Sequence, residues 1–452
     1  MLAVHAVTIA AARASALRVL GRVRKDGAFS GAALTSELRG TELSSEDTAL
    51  TTHLVYGVLG AEGVLDDAID RFARGKIEPR IRDVLRLAAY ELLYGRSPAY
   101  AVVDQAVAAA RRIRPQASGL VNAVARRVAE AGPAFPWGDP ETDLDALARV
   151  CACPRWVVDE SLASLGPDAG REALLASAEP APSFVRLDPF GATRESALAA
   201  LAAAEPLPSP PDPDCFILGR PAVAHGGSGG PWFSMDAAAQ LAPAAVRPAP
   251  GGRVLDAGAG RGNKTVCLQA IAMRGGAPAD ITALELHEGK VARLRERLDR
   301  SGVPGVTVAV GDAADACTHF GPAAFDAVLL DAPCTGLGTL RRYPEKRWRI
   351  VPGDIARMAA LQRTLLSGLA GVVRPGGCLV YSTCSIARAE NEGVVRAFLD
   401  TATGAGFSVE SLAGVVPDAW SPFLNDDGTF QSWPTIEGPD GHFVAVLRHD
   451  GA

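Results

Sequence analysis

The sequence predicts an α/β chain, with an open and mostly parallel sheet in its carboxy-terminal half, preceded by an all-helical segment and a small α+β lobe. Three observations carry this. After residue 250 short apolar runs recur, most of them ending in an acid or a glycine-rich turn, as buried parallel strands do. Residues 1–130 instead show helical period and little strand signal. Between them Pro and Gly accumulate at Gly132–Pro140, Pro206–Pro213 and Gly226–Pro231, which marks a boundary and loops. The expected division is 1–135, 145–230 and 231–450.

At 452 residues the chain has length for roughly three domains. Its net charge of −6 is uneven: residues 1–130 carry 18 Lys and Arg against 14 Asp and Glu, a balance of +4 that leaves −10 for the rest. That bias suits a polyanionic partner or an ordinary solvated helix surface. With no run of about 18 apolar residues, no membrane span is expected. The apolar start, Leu2–Ala12, lacks a basic leader and runs into an arginine-spaced helical pattern, so it reads as a folded helix. Eight scattered cysteines make no disulfide framework, which implies reduced thiols and a cytoplasmic address. Cys151 and Cys153 lack a second pair at metal spacing, so no metal is expected. Nothing demands more than a monomer.

In the helical segment, Leu17, Leu20 and Val23 share one face; Val84, Leu85, Leu87, Ala88, Leu92 and Leu93 another; Val102, Val103, Val107 and Ala110 a third. Basic residues gather late, as Arg111, Arg112, Arg114, Arg126 and Arg127, suited to phosphate contacts or to a solvated face. His53-Leu-Val-Tyr-Gly-Val-Leu59, Leu85-Arg-Leu-Ala-Ala-Tyr-Glu-Leu-Leu93 and Gly119-Leu-Val-Asn-Ala-Val124 resemble the NusB-like helical RNA-binding domain fused to one group of bacterial rRNA methyltransferases. In the middle region, Cys153-Pro-Arg-Trp156 opens a helix and Phe184–Leu187 reads as a strand. The resemblance implies that this lobe helps hold RNA.

Val254 and Leu255 are buried strand, ended by Asp256 and the turn Gly258-Ala259-Gly260-Arg261-Gly262-Asn263-Lys264, whose glycines let the backbone approach a ligand. A dinucleotide would fit this turn equally well. Ile281–Leu284 is a second strand ending at Glu285, placed to grip ribose hydroxyls; Val306–Val310 is a third, ending in Gly311-Asp312. Acids after the second and third strands form the layout of S-adenosylmethionine enzymes, and this outweighs the alternative that Asp312 is a turn residue.

Two further strands each deliver a cysteine. Ala327–Leu330 opens into Asp331-Ala332-Pro333-Cys334; Gly377–Tyr381, after the turn Arg374–Gly377, ends in Ser382-Thr383-Cys384-Ser385. Ligands bind at the carboxyl ends of strands in open α/β sheets, so both thiols fall at one functional edge. These motifs resemble the paired motifs of RNA cytosine-C5 methyltransferases, in the family of the bacterial small-subunit rRNA methyltransferase B. A Rossmann-like class I fold, S-adenosylmethionine as cofactor and rRNA as partner follow as expectations. The resemblance implies that Cys384 is the nucleophile, that Cys334 helps release product, and that Asp331 lies between cofactor and base. The chemistry suits it: cytosine C5 becomes nucleophilic once a thiolate adds to C6. Gly336-Leu-Gly-Thr339, Arg341, Arg342, Tyr343-Pro344, Arg347 and Trp348 match the family's continuation, where basic residues meet RNA; Trp348 stacks a base or packs internally. Phe233–Leu241 matches the helix before the cofactor strand and Gly441–Ala445 the closing strand, with His442 where an aromatic is usual. The cofactor turn departs from the usual Cys-Ala-Ala-Pro-Gly-Gly-Lys by lacking the proline and carrying Arg261, which motivates a second reading, an RNA-binding assembly factor without turnover. Cys215, Cys267, Cys317 and Cys378 read as small buried hydrophobes.

Overall fold

A computed structural model describes residues 9–220 and 230–451. The first residues of the expected amino-terminal helix and residues 226–229 of the glycine-rich loop lie outside the described residues. The chain forms two compact units: residues 1–159 with 340–350, and residues 160–339 with 351–452. The expected division instead ended the helical domain at 135 and gave all of 231–450 to the catalytic domain.

In the first unit, helices Ala11–Asp26, Ser45–Gly60, Pro79–Leu93, Ala99–Ile113 and Ser118–Ala131 turn their apolar faces onto one core of Val19, Leu20, Leu54, Val58, Leu85, Ala88, Val102, Val121 and Val124. Local chemistry fixes their ends. The Ser44 hydroxyl accepts the Asp47 amide at 3.0 Å, and Pro79 opens its helix where a missing N–H costs nothing. Gly57 is required by packing, because a Cβ there would stand 2.0 Å from the Tyr90 ring. Residues 340–350 complete this unit. The Trp348 indole N–H donates to the Gly60 carbonyl at 2.7 Å, its ring lies where a Cβ on Gly63 would come within 2.1 Å, and Ser30 donates to Glu345 at 2.8 Å. Trp348 therefore packs internally.

The second unit begins with a small antiparallel sheet of β1 (Ser183–Leu187), β2 (Pro206–Pro208), β3 (Cys215–Leu218) and β4 (Trp232–Ser234), in the order β2-β3-β1-β4. The segment 233–241, expected to be helical, starts inside β4; a 3-10 turn at Ala238–Gln240 then leads into the α-helix that begins at Leu241. The larger sheet holds β5 (Arg253–Ala257), β6 (Asp280–Glu285), β7 (Val306–Val310), β8 (Phe325–Asp331), β9 (Val373–Thr383), β10 (Phe407–Glu410), β11 (Phe430–Gln431) and β12 (Phe443–His449). Its order is β10-β12-β9-β8-β5-β6-β7, with β11 paired to β12; the five strands from β9 to β7 run parallel. Alternate residues serve two cores. Leu255, Val328, Leu330, Leu379 and Tyr381 join Leu366 and Leu369 on one face, while Val254, Ala327, Leu329 and Val380 join Leu268 and Ala272 on the other. Cover on both faces is why these strands read as continuous apolar runs. Residues 374–377, expected as a turn before the strand, lie within β9, where pairing with β8 shifts register between Phe325 and Ala327.

Trp348→Ala is expected to lower the stability of the helical unit by about 2–4 kcal/mol through lost packing and an unmet Gly60 carbonyl, read by urea unfolding followed by circular dichroism.

Candidate functional site

The sheet order reverses between β5 and β8, and the crevice of an open α/β sheet lies at such a switch point. At the end of β5, Gly258, Gly260 and Gly262 all have φ near +60° to +80°. The Gly258 and Ala259 amides both donate to the Leu284 carbonyl, at 2.9 and 3.0 Å, which pins the turn against β6. Glu285, nearly fully buried, accepts the Gly260 amide at 3.1 Å and the His287 amide at 3.1 Å. Arg261 is exposed, and the Asn263 side chain is bonded by Arg297. Asp312, half-buried, accepts the Ala314 amide at 2.9 Å. It thus fills the turn role and stands at the carboxyl end of β7 as well.

Lys264 reaches from the start of the helix after the turn to Asp331, Nζ to Oδ2 at 2.7 Å. Burial opposes its charge most strongly, but the Asp331 carboxylate, with help from Cys384, outweighs it and raises the ammonium pKa. Parallel pairing sets Asp331 opposite Ser382, and the Ala332 amide donates to the Ser382 carbonyl at 2.8 Å. The chains that follow stay together. Cys334 and Cys384, both half-buried, bring their Sγ atoms to 3.1 Å. Hydrogen bonding to Cys384, then burial, then the charges of Cys384 and Glu390 hold the Cys334 thiol well above the ordinary thiol range. The Gly338 amide donates to the Cys384 carbonyl at 3.0 Å, and the Gly441 amide to Gly338 at 2.9 Å; a Cβ on Gly338 would meet Gly441 at 2.0 Å. The glycine-rich loop and the closing strand therefore wall the thiols.

The structure thus gathers Gly258–Lys264, Glu285, Asp331, Cys334 and Cys384 at one sheet edge. The expectation for Arg341 and Arg347 is corrected. They are 8% and 6% exposed within the helical unit, and the Arg347 guanidinium donates to the Cys151 and Ala152 carbonyls, each at 3.2 Å. A fork turned onto buried carbonyls does not meet phosphate. Arg111 and Arg112 are exposed and Arg342 half-exposed. Cys317 is exposed, not buried as expected, whereas Cys215, Cys267 and Cys378 are buried. Sequence reasoning missed Glu390 and Asn391, which are buried and bonded to residues flanking the thiols, and noted His442, also buried, only as a departure from the usual aromatic. Burial holds His442 below the usual imidazole range, against the pull of Asp236. Its unusual place in the closing strand was the one available signal.

Residues 243–448 match the family described as 16S rRNA methyltransferase RsmB/F, and residues 10–130 match the NusB family. A Bacillus subtilis protein named "Probable ribosomal RNA small subunit methyltransferase B" is 31% identical over 96% of this chain and 98% of its own. The ribosomal RNA small subunit methyltransferase B of Klebsiella pneumoniae is 31% identical over 90% and 91%. Among solved structures, PH0851 superposes with TM-score 0.79 at 25% identity over 96% of this chain and 98% of that one; a methyltransferase homolog from Pyrococcus horikoshii gives 0.55 at 25% identity, over 67% and 97%.

Asp256 behind the turn is fully buried, with one oxygen bonded by the Thr265 hydroxyl at 2.6 Å and the other unpartnered. Burial pushes its carboxyl up to about 6 from 3.8, assisted by Asp331 and opposed by Thr265 and Lys264. Between those pH values the folded chain holds a proton that the unfolded chain has lost, so stability falls as pH rises through the window, by about 3 kcal/mol at most. Asp256→Asn is expected to flatten that slope, measured as urea midpoints of both proteins from pH 4 to 7 without cofactor.

Proposed function

The chain belongs to the 16S rRNA methyltransferase RsmB/F family, and on that premise we propose that it methylates C5 of a cytosine in small-subunit rRNA through a transient cysteine adduct. The observation that carries this reading is the 3.1 Å approach of two half-buried thiols beside the Lys264–Asp331 pair. One thiol would serve simple addition; two at one sheet edge suit addition followed by expulsion.

S-adenosylmethionine is the methyl donor and supplies, when bound, an electrophilic methyl group. The residues present fit it. Gly258 is exposed and has φ +82°, a backbone that suits glycine, and a Cβ there would press on the Asp331 carbonyl at 3.2 Å; Glu285 stands at the end of β6 to receive hydroxyls. Gly258–Lys264, Glu285, Asp312 and Asp331 would hold the group, with Asp331 shared between it and the base.

The target cytosine must be unpaired or flipped to present its ring. The Cys384 thiolate forms a bond to C6; the C5–C6 π pair moves onto C5, which becomes the nucleophile. Lys264, positively charged and electrostatically coupled to Cys384, favours the thiolate. After alkylation, the C5 proton passes to a solvent water, its bonding pair re-forms the C5–C6 double bond, and the C6–S bond breaks to release the Cys384 thiolate. Cys334, in contact with that sulfur, is placed to assist this release. Exposed Arg111 and Arg112 and half-exposed Arg342 are proposed to contact phosphates.

RNA carrying 5-fluorocytosine is expected to form a gel-stable covalent adduct with the wild type and none with Cys384→Ser. In Cys334→Ala the adduct on unmodified RNA should accumulate. Normal methylation by Cys384→Ser would overturn the assignment.

A further inference from the structure

Beneath the two thiol loops lies a carboxylate with no part in the chemistry so far. Glu390 is 0% exposed. Four donors converge on it: the Thr335 amide at 2.9 Å, the Thr335 hydroxyl, the Ser385 hydroxyl at 2.8 Å and the Gln362 side-chain amide at 3.1 Å. Thr335 follows Cys334, and Ser385 follows Cys384. The carboxylate thus grips the residue after each cysteine, on two loops 50 positions apart. Gln362 extends the grip by donating to the Pro333 carbonyl at 2.8 Å, just before Cys334. All four donors are neutral, and among the described residues no lysine or arginine pairs with Glu390. A structural anchor is ordinarily joined to a cation, because a lone buried charge is costly. Here the negative group is kept beside the thiols on neutral hydrogen bonds.

We infer that Glu390 is a positioning residue for the thiol pair: through Thr335 and Ser385 it fixes the two sulfurs side by side, and as the negative group next to Cys334 it decides which of them carries the proton. This rests on the reading that Cys384 attacks. Cys334 faces Cys384, Glu390 and Tyr381, of which none is a cation, whereas Cys384 faces Lys264, paired with Asp331. Glu390 thus bonds the residue after each of two sulfurs 3.1 Å apart, and Lys264, held by Asp331, is the cation that acts on Cys384. Asn391 reinforces the second loop alone, accepting from the Thr383 hydroxyl at 2.7 Å and donating to the Ser385 carbonyl at 2.9 Å. Glu390 bonds both loops, whose Thr335 and Ser385 hydroxyls also meet directly at 3.3 Å.

Glu390→Gln keeps the volume, removes the charge and places an amide where only donors point. In full-length protein carrying Cys384→Ser, so that one thiol of the pair is read, iodoacetamide labelling of the Cys334 peptide across pH should show its midpoint fall by about one pH unit or more when Glu390→Gln is added. With Cys384 intact, Glu390→Gln should lower kcat for methylation of transcribed small-subunit rRNA by about tenfold or more, with the KM for S-adenosylmethionine unchanged. A carboxylate that only supports the fold would change the melting temperature and leave the labelling midpoint in place, and that result overturns the inference. Should Glu390→Gln not fold, Thr335→Val removes one donor at constant volume; about a fivefold loss of kcat is expected, and wild-type turnover would refute the clamp. Full methylation by Cys384→Ser would instead sink the underlying reading, whatever Glu390 does.

Discussion

The parallel pairing of β8 with β9 is the constraint on which the rest depends. Neighbouring strands of a sheet lie about 4.8 Å apart, so two that run the same way release their next residues side by side. With Asp331 opposite Ser382, three residues after one strand and one residue after the other are enough to bring two sulfurs into contact. A slip of one residue would turn either strand's alternating side chains to the opposite faces, and Leu330 and Tyr381 would lose the core that Leu366 and Leu369 form with them. Packing on both faces therefore defends the register, and the register sets the chemistry. Stability and function share one set of apolar residues here.

The polar groups around the thiols are ordered by the same geometry. Lys264 comes from the helix after the glycine turn, Asp331 from β8, and Glu390 from the stretch after β9. Each is buried or half-buried, where an effective dielectric well below that of water makes one neighbouring charge matter. The Lys264–Asp331 pair joins the glycine turn to β8, and Glu390 joins the two thiol loops.

Much of this could be read from the residues. Buried parallel strands announce themselves because both faces are covered, so Val254–Leu255, Ile281–Leu284 and Ala327–Leu330 were legible as runs, and acids at their ends marked the functional edge. The thiol pair was legible because two strands ended in Cys-bearing loops. Other features depended on partners distant in sequence. Arg347 and Trp348 sit in a basic stretch that looks like a solvated surface; only their partners at Cys151 and Gly60 make them interior, and no local pattern encodes that. Glu390 lies in Arg388-Ala389-Glu390, which resembles an ordinary polar loop, and of its donors only Ser385 is near in sequence, while Gln362 and Thr335 come from 28 and 55 positions away. Residues 374–377 read as a turn because Pro and Gly are turn formers, while an irregular stretch of strand pairing accommodates the same residues.

The membership of residues 340–350 in the helical unit bears on how the chain is made. By the time residue 159 emerges during synthesis, the helices from Ala11–Asp26 to Leu144–Val150 are present, but the short helix Lys346–Arg349, with the indole that bonds Gly60, is not, and that indole is still 189 positions from being translated. Until then the seat at Gly60 and Gly63 stays open, and the carbonyls of Cys151 and Ala152 lack their guanidinium. Vectorial folding of the amino-terminal unit thus closes only after most of the second unit's parallel sheet has left the ribosome, and a fragment cut at 159 is an incomplete protein, however clean that boundary looks.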